Sequence, residues 1–305
     1  MMFQSVTAWD LALLLCKLML LAGLIGAVGG SVALRSYHDG TRAGHRRLLG
    51  YSLFSAVLGL HASLFMVLLQ VGQINSSGIM GMFDLELTLM LRGTPVWESA
   101  AFRSVGFGLS ALVTLASIRA LGTLREAPPV AYYRMAQTGQ VLAFGLLAYG
   151  FTLIGHIAPM SSLVKGALLF HVVAASVWLG MLLPLYWCCG ESSLERLGRQ
   201  MRAFSMVGVV TVMLLIVSGL VLLLTLLDLS ELLSTSYGQL LTLKLLFFIS
   251  LLGIAAQNKW RYVPRLSETG GVNLLRGSIR RELICAGFLV VLVATLSTML
   301  GPASH

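Results

Sequence analysis

The sequence predicts an all-α integral membrane protein with eight transmembrane helices, and three observations predict it. Of 305 residues, 57% are hydrophobic and only 11% charged, with a mean hydropathy of +0.87, whereas about a quarter of the residues of a soluble domain carry charge. Apolar runs recur that are long enough for a helix to cross a hydrocarbon layer of about 30 Å, which takes about 20 residues. The alternating pattern of half-buried strands is absent, and a helix pairs its own backbone amides inside lipid without help from neighbours. A water-soluble domain and a disordered chain are both excluded, because this composition can neither coat a soluble surface nor avoid collapse.

The spans are expected at residues 11–34, 48–71, 101–121, 135–157, 164–187, 204–227, 240–256 and 283–300. The first begins directly after Trp9 and Asp10, with no basic segment or small-residue cleavage site before it, so it reads as a retained helix rather than a signal peptide. Its Gly23, Gly26, Gly29 and Gly30 supply a face for close helix packing. The second follows Arg42, Arg46 and Arg47 and carries His61, and the third carries Arg103. The fourth opens at Arg134 and is closed by Pro159. The fifth carries His171 and ends at Cys188 and Cys189. The sixth places Met206 and Met213 seven residues apart on one face, and the seventh carries Lys244. The eighth opens at Arg280 and is closed by Pro302.

Basic residues write the orientation. Connections after the odd-numbered spans hold sixteen Lys and Arg, and the alternate connections hold only Arg92 and Lys165. Both termini are therefore expected on the periplasmic side, with His38 and His45 in a cytoplasmic loop. The outward connections carry Asp84, Glu86, Glu98, Asp228 and Glu231, an acidic vestibule that would concentrate cations. Thr94 with Arg103, and Thr235 with Lys244, repeat a threonine and a cation nine residues apart at the start of the third and seventh spans. Together with Arg134 and Arg280 they suggest two tandem parallel four-helix repeats, residues 1–159 and 160–305, within one membrane domain.

Polar side chains inside a bilayer are costly and mark function by default. At about 1.5 Å per residue, His61 and His171 lie about 10 Å below the outer surface, with Lys17, Arg103 and Lys244 near the same level and His156 at the mouth. Imidazole suits copper, zinc and haem iron, and thioethers select Cu(I), so nearby Met66 and Met160 turn the set towards copper. The four cysteines show no CxxC spacing, which argues against a disulfide framework or structural zinc. Cys188 and Cys189 offer an inner exit for Cu(I), against the alternative of buried packing residues. No nucleotide-binding motif occurs, so neither ATP-driven pumping nor another enzymatic activity is expected.

Three stretches carry a family resemblance. Gly155 and His156 with Pro159, followed by HVVAASVWLGMLLP from His171 to Pro184, resemble the copper resistance protein D family, CopD and PcoD. So do YGQLLTLKLLFFISLLGIAAQNKWRYVP from Tyr237 and RRELICAGFLVVLVATLSTMLGP from Arg280. The resemblance implies an eight-helix inner-membrane protein that takes copper from a periplasmic carrier of the CopC or PcoC type, with weight on His156 and His171. Two alternatives stay open. One is a haem-binding electron-transfer protein whose propionates meet Lys17, Arg103 or Lys244. The other is a scaffold that docks a periplasmic copper protein without moving metal.

Overall fold

The computed structural model describes residues 7–37, 42–123, 129–226 and 233–299. Among them every regular element is helical. The long helices are α1 (Ala8–Ser36), α2 (Arg42–Asn75), α4 (Pro95–Thr123), α5 (Val130–Thr152), α6 (Ser162–Glu191), α7 (Leu194–Leu226), α8 (Ser236–Gln257) and α9 (Gly271–Met299), with a short α3 (Leu85–Met90) between α2 and α4. Six are long and apolar enough to cross a membrane: α1, α2, α4, α6, α7, and α8 taken through Arg265. The helices α5 and α9 occupy the fourth and eighth expected positions. Polar residues dilute the start of each: Arg134, Gln137 and Gln140 in α5, and Asn273, Arg276, Arg280, Arg281 and Glu282 in α9.

Local chemistry sets the ends. Thr7 caps α1 through a reciprocal pair, its side chain accepting from the Asp10 amide while the Asp10 carboxylate accepts from the Thr7 amide. Thr94 and Thr235 start α4 and α8 alike, their hydroxyls accepting from Trp97 and Gly238 at 3.4 and 3.0 Å. The helix at the fourth expected position, α5, ends earlier than expected, at Thr152, because Gly155 adopts a φ of 70° that stops the helix, so Ile157 falls in a 3-10 turn. Pro184 lies inside α6, a break that neighbouring membrane helices accommodate.

α1 lies at the centre and packs against α2, α5, α6 and α9, while α4 packs against α2 and α5, and α6 against α5, α7 and α9. α8 packs chiefly on α9 and sends Phe248 edge-on to Trp178 of α6, 6.1 Å between ring centroids. Two close approaches fix the middle. A Cβ on Gly29 would stand 2.2 Å from the Gly180 carbonyl carbon, and one on Gly180 only 2.0 Å from the Ile25 oxygen, so α1 and α6 meet backbone to backbone. Gly23 meets the Gly59 backbone of α2 in the same way, at 2.6 Å. Outward surfaces are apolar, as lipid requires: Met206, Val210, Met213 and Val217 of α7 are all exposed.

Candidate functional site

The expected imidazole site resolves into three separate environments. His171, half-buried on α6, places Nδ1 3.1 Å from the Ser218 hydroxyl of α7. Ser218 directs its own proton to the Leu214 carbonyl at 2.5 Å, so the imidazole Nδ1–H donates to the serine and Nε2 keeps its lone pair. His61 is exposed on α2, and its Nδ1 donates 2.8 Å back to the Val57 carbonyl of its own helix. His156 is exposed in the 3-10 turn after α5. Met66 is buried in the core and Met160 half-buried beyond that turn. Among the described residues no group of three or more His, Cys, Asp or Glu side chains is disposed to hold a metal ion.

The other expected site residues fall as follows. Asp84 caps α3 through the Leu87 amide at 3.0 Å and accepts from Asn75 at 2.7 Å. Glu86 and Glu98 are exposed, and Asp228, Glu231, Arg125, His38, His305 and Pro302 lie outside the described residues. Lys17 and Arg103 are buried, and both lie over the Phe151 ring at 5.6 Å. Arg103 donates through Nε to the Ser99 carbonyl at 3.1 Å, but its buried Nη1 has no hydrogen-bond partner. Lys244 stands within electrostatic reach of His171, as Arg103 does of Lys17. His45 is not in a loop: α2 begins at Arg42, which draws His45 into its first turn, buried with Nε2 2.7 Å from the Tyr133 hydroxyl.

The end of the bundle that carries the basic connections holds a polar cluster that sequence reasoning missed. Asn258, in a π-helical turn after α8, donates to Glu282 of α9 at 2.9 Å. Glu282 is fully buried, as is Ser278 one turn earlier on the same helix. Tyr37, at the end of α1, interacts electrostatically with Glu282, Cys188 and Cys189, and burial holds its hydroxyl well above the usual phenol range. Gln200 of α7 donates to the Tyr37 carbonyl at 2.9 Å and accepts from Ser192 at 3.0 Å, tying α1 to α7. Cys189 is buried and Cys188 half-buried at the end of α6. The signal for this cluster was a lone carboxyl directly before the last apolar run, one helical turn after Ser278.

Comparisons with known proteins give two matches. The family model for copper resistance protein D matches residues 198–296, which span most of α7, all of α8 and most of α9. The inner membrane protein YebZ of Escherichia coli (strain K12) is 32% identical over 102 residues. That stretch covers 32% of this chain and 35% of the relative, so about a third of each protein is compared. No solved structure matches. The copper resistance protein D resemblance therefore holds over residues 198–296, about a third of the chain, and the family model does not reach His156 or His171. Six helices among the described residues are long and apolar enough to cross a bilayer, as a multi-pass membrane protein requires.

Proposed function

We propose that this protein handles copper at the inner membrane, accepting the ion on the periplasmic side from a carrier of the CopC or PcoC type and moving it across or into the membrane. The match to the copper resistance protein D model over α7, α8 and α9 carries the reading. In this reading α5 and α9 complete eight spans, both termini face the periplasm, and the halves α1–α5 and α6–α9 are parallel repeats. Supporting the repeat, α5 packs on α6 as α9 packs on α1, and Thr94 with Arg103 mirrors Thr235 with Lys244. The activity moves an ion and makes or breaks no covalent bond. His171 is the ligand of choice, because its Ser218 bond leaves Nε2 free for a soft or borderline metal.

Cellular copper accumulation tests the reading. His171→Ala is expected to lower accumulation at least severalfold while membrane levels stay constant. Ser218→Ala should lower it less, by removing the hydrogen bond that orients the ring. Accumulation equal to the unsubstituted protein in both variants would refute a role for His171 and favour a docking scaffold.

A further inference from the structure

Four buried polar atoms without hydrogen-bond partners lie in the cluster at the basic end: Glu282 Oε1, Asn258 Oδ1, Ser278 Oγ and the Tyr37 hydroxyl. Their chemistry is unbalanced in a particular way. Asn258 Nδ2 already donates to Glu282 Oε2 at 2.9 Å. The two atoms left over on that pair, Oε1 and Oδ1, are both acceptors when the carboxyl is ionised, and two acceptors cannot satisfy each other. A single proton on Oε1 resolves both, because a carboxylic acid and a primary amide then close a ring with one N–H···O and one O–H···O bond. Charge points the same way. Glu282 is fully buried and has no salt bridge to any described residue, and an isolated buried carboxylate is far costlier than its neutral acid. The groups facing it are Tyr37 from α1, with Cys188 and Cys189 of α6 beyond, Cys285 and Ser278 on α9, and Asn258. None of these supplies a positive charge, and Arg276 of α9 is turned to Cys189 and over the Tyr186 ring of α6.

We propose that Glu282 and Asn258, with Tyr37 and Ser278 beside them, form a proton-binding site, Glu282 carrying an exchangeable proton on Oε1 at neutral pH. Releasing that proton to water breaks the Oε1–H bond and leaves Oε1 of the carboxylate and Oδ1 of Asn258 both without a donor, beside the hydroxyls of Tyr37 and Ser278. Neither hydroxyl bonds to Oε1 as the side chains stand, so unloading the site calls for a shift of one of them towards the carboxylate. The proposal requires no copper and stands apart from the functional reading above.

Infrared spectroscopy of the purified full chain in an ester-free detergent tests it. At neutral pH the unsubstituted protein should show a carboxylic-acid carbonyl band that shifts in D2O and is lost in Glu282→Gln. The glutamine amide can still pair with Asn258, so this variant is expected to fold. Should it fail to accumulate, Glu282→Asp serves instead, with a band shifted from the native one because the shorter acid cannot close the same ring. Acid regions that superimpose between native and variant protein would overturn the proposal. So would a band that emerges in the native protein only after chelator treatment, which would make a metal cation the occupant.

Discussion

The crossing of α1 and α6 is the contact most open to a decisive substitution. In Gly180→Ala the new methyl would lie 2.0 Å from the Ile25 oxygen and 2.8 Å from Gly29 Cα, against an ordinary contact of 3.4 Å or more. Both obstacles are backbone, so no side chain can swing aside, and the helices must part by more than 1 Å. Overpacking of this kind costs about 1–3 kcal/mol. At about 2–4 °C per kcal/mol for a large domain, the apparent melting temperature in detergent should fall by about 2–12 °C. Gly253→Ala in α8 is the matched control, since a Cβ there meets nothing within 4 Å, and it should be neutral or stabilising by about 0.5–1 kcal/mol. Fluorescence-detected thermal unfolding of both variants measures the difference. If Gly180→Ala melts with Gly253→Ala and the unsubstituted protein, the helices do not meet at this point and the packing described for the two halves is wrong.

Two further outcomes follow from buried polar groups. Gln140 joins α5 to α4 by accepting from Ser110 at 2.7 Å and donating to Thr114 at 2.9 Å; Gln140→Leu should cost about 0.6–2 kcal/mol by thermal unfolding, and an unchanged midpoint would mean the ladder carries no net energy. Lys17 is buried over Phe151 with no salt bridge to a described residue, so Lys17→Met should raise the melting temperature by removing an uncompensated charge, and a lower one would show that the ammonium is held by a bound anion.

Depth was legible in the sequence and rotation was not. Counting residues at about 1.5 Å each fixes how far a side chain lies along a span. Which way it points depends on where the helix turns its apolar surface. In lipid both the core-facing and the outward sides of a helix are apolar, so the sequence does not mark the difference. His61 and Met66 show the consequence: five positions apart, they differ by about 140° around α2, and the structure buries Met66 while exposing His61. Met206 and Met213 do share a face of α7, and that face is exposed. The glycines of α1 were legible because small residues mark close approach whatever the surroundings, although their partners, Gly59 and Gly180, were not. Glu282 escaped notice because it stands at the margin of an apolar run beside Arg280 and Arg281, where a carboxyl reads as one more surface charge.

The placement of fixed charge separates the two halves as routes for a cation. A unit charge about 10 Å away costs a cation about 1.7 kcal/mol at an effective dielectric of about 20, more than a tenfold loss of occupancy. Among α1, α4 and α5 an ion would meet both Lys17 and Arg103, each over the Phe151 ring and with no described acid in a salt bridge to either. Beside His171, between α6 and α7, it would meet Lys244, and there His171 offers a lone pair in partial compensation. At the opposite end of that half the chemistry changes, because Glu282 is a buried carboxyl and Asn258, Tyr37 and Ser278 add oxygen atoms without hydrogen-bond partners. Oxygen donors of this kind favour a proton or a hard cation over Cu(I). The half that carries the copper resistance protein D match thus pairs an imidazole suited to a borderline metal at one end with a carboxyl suited to a proton at the other. The helices that carry the two groups, α6 and α9, pack directly on each other.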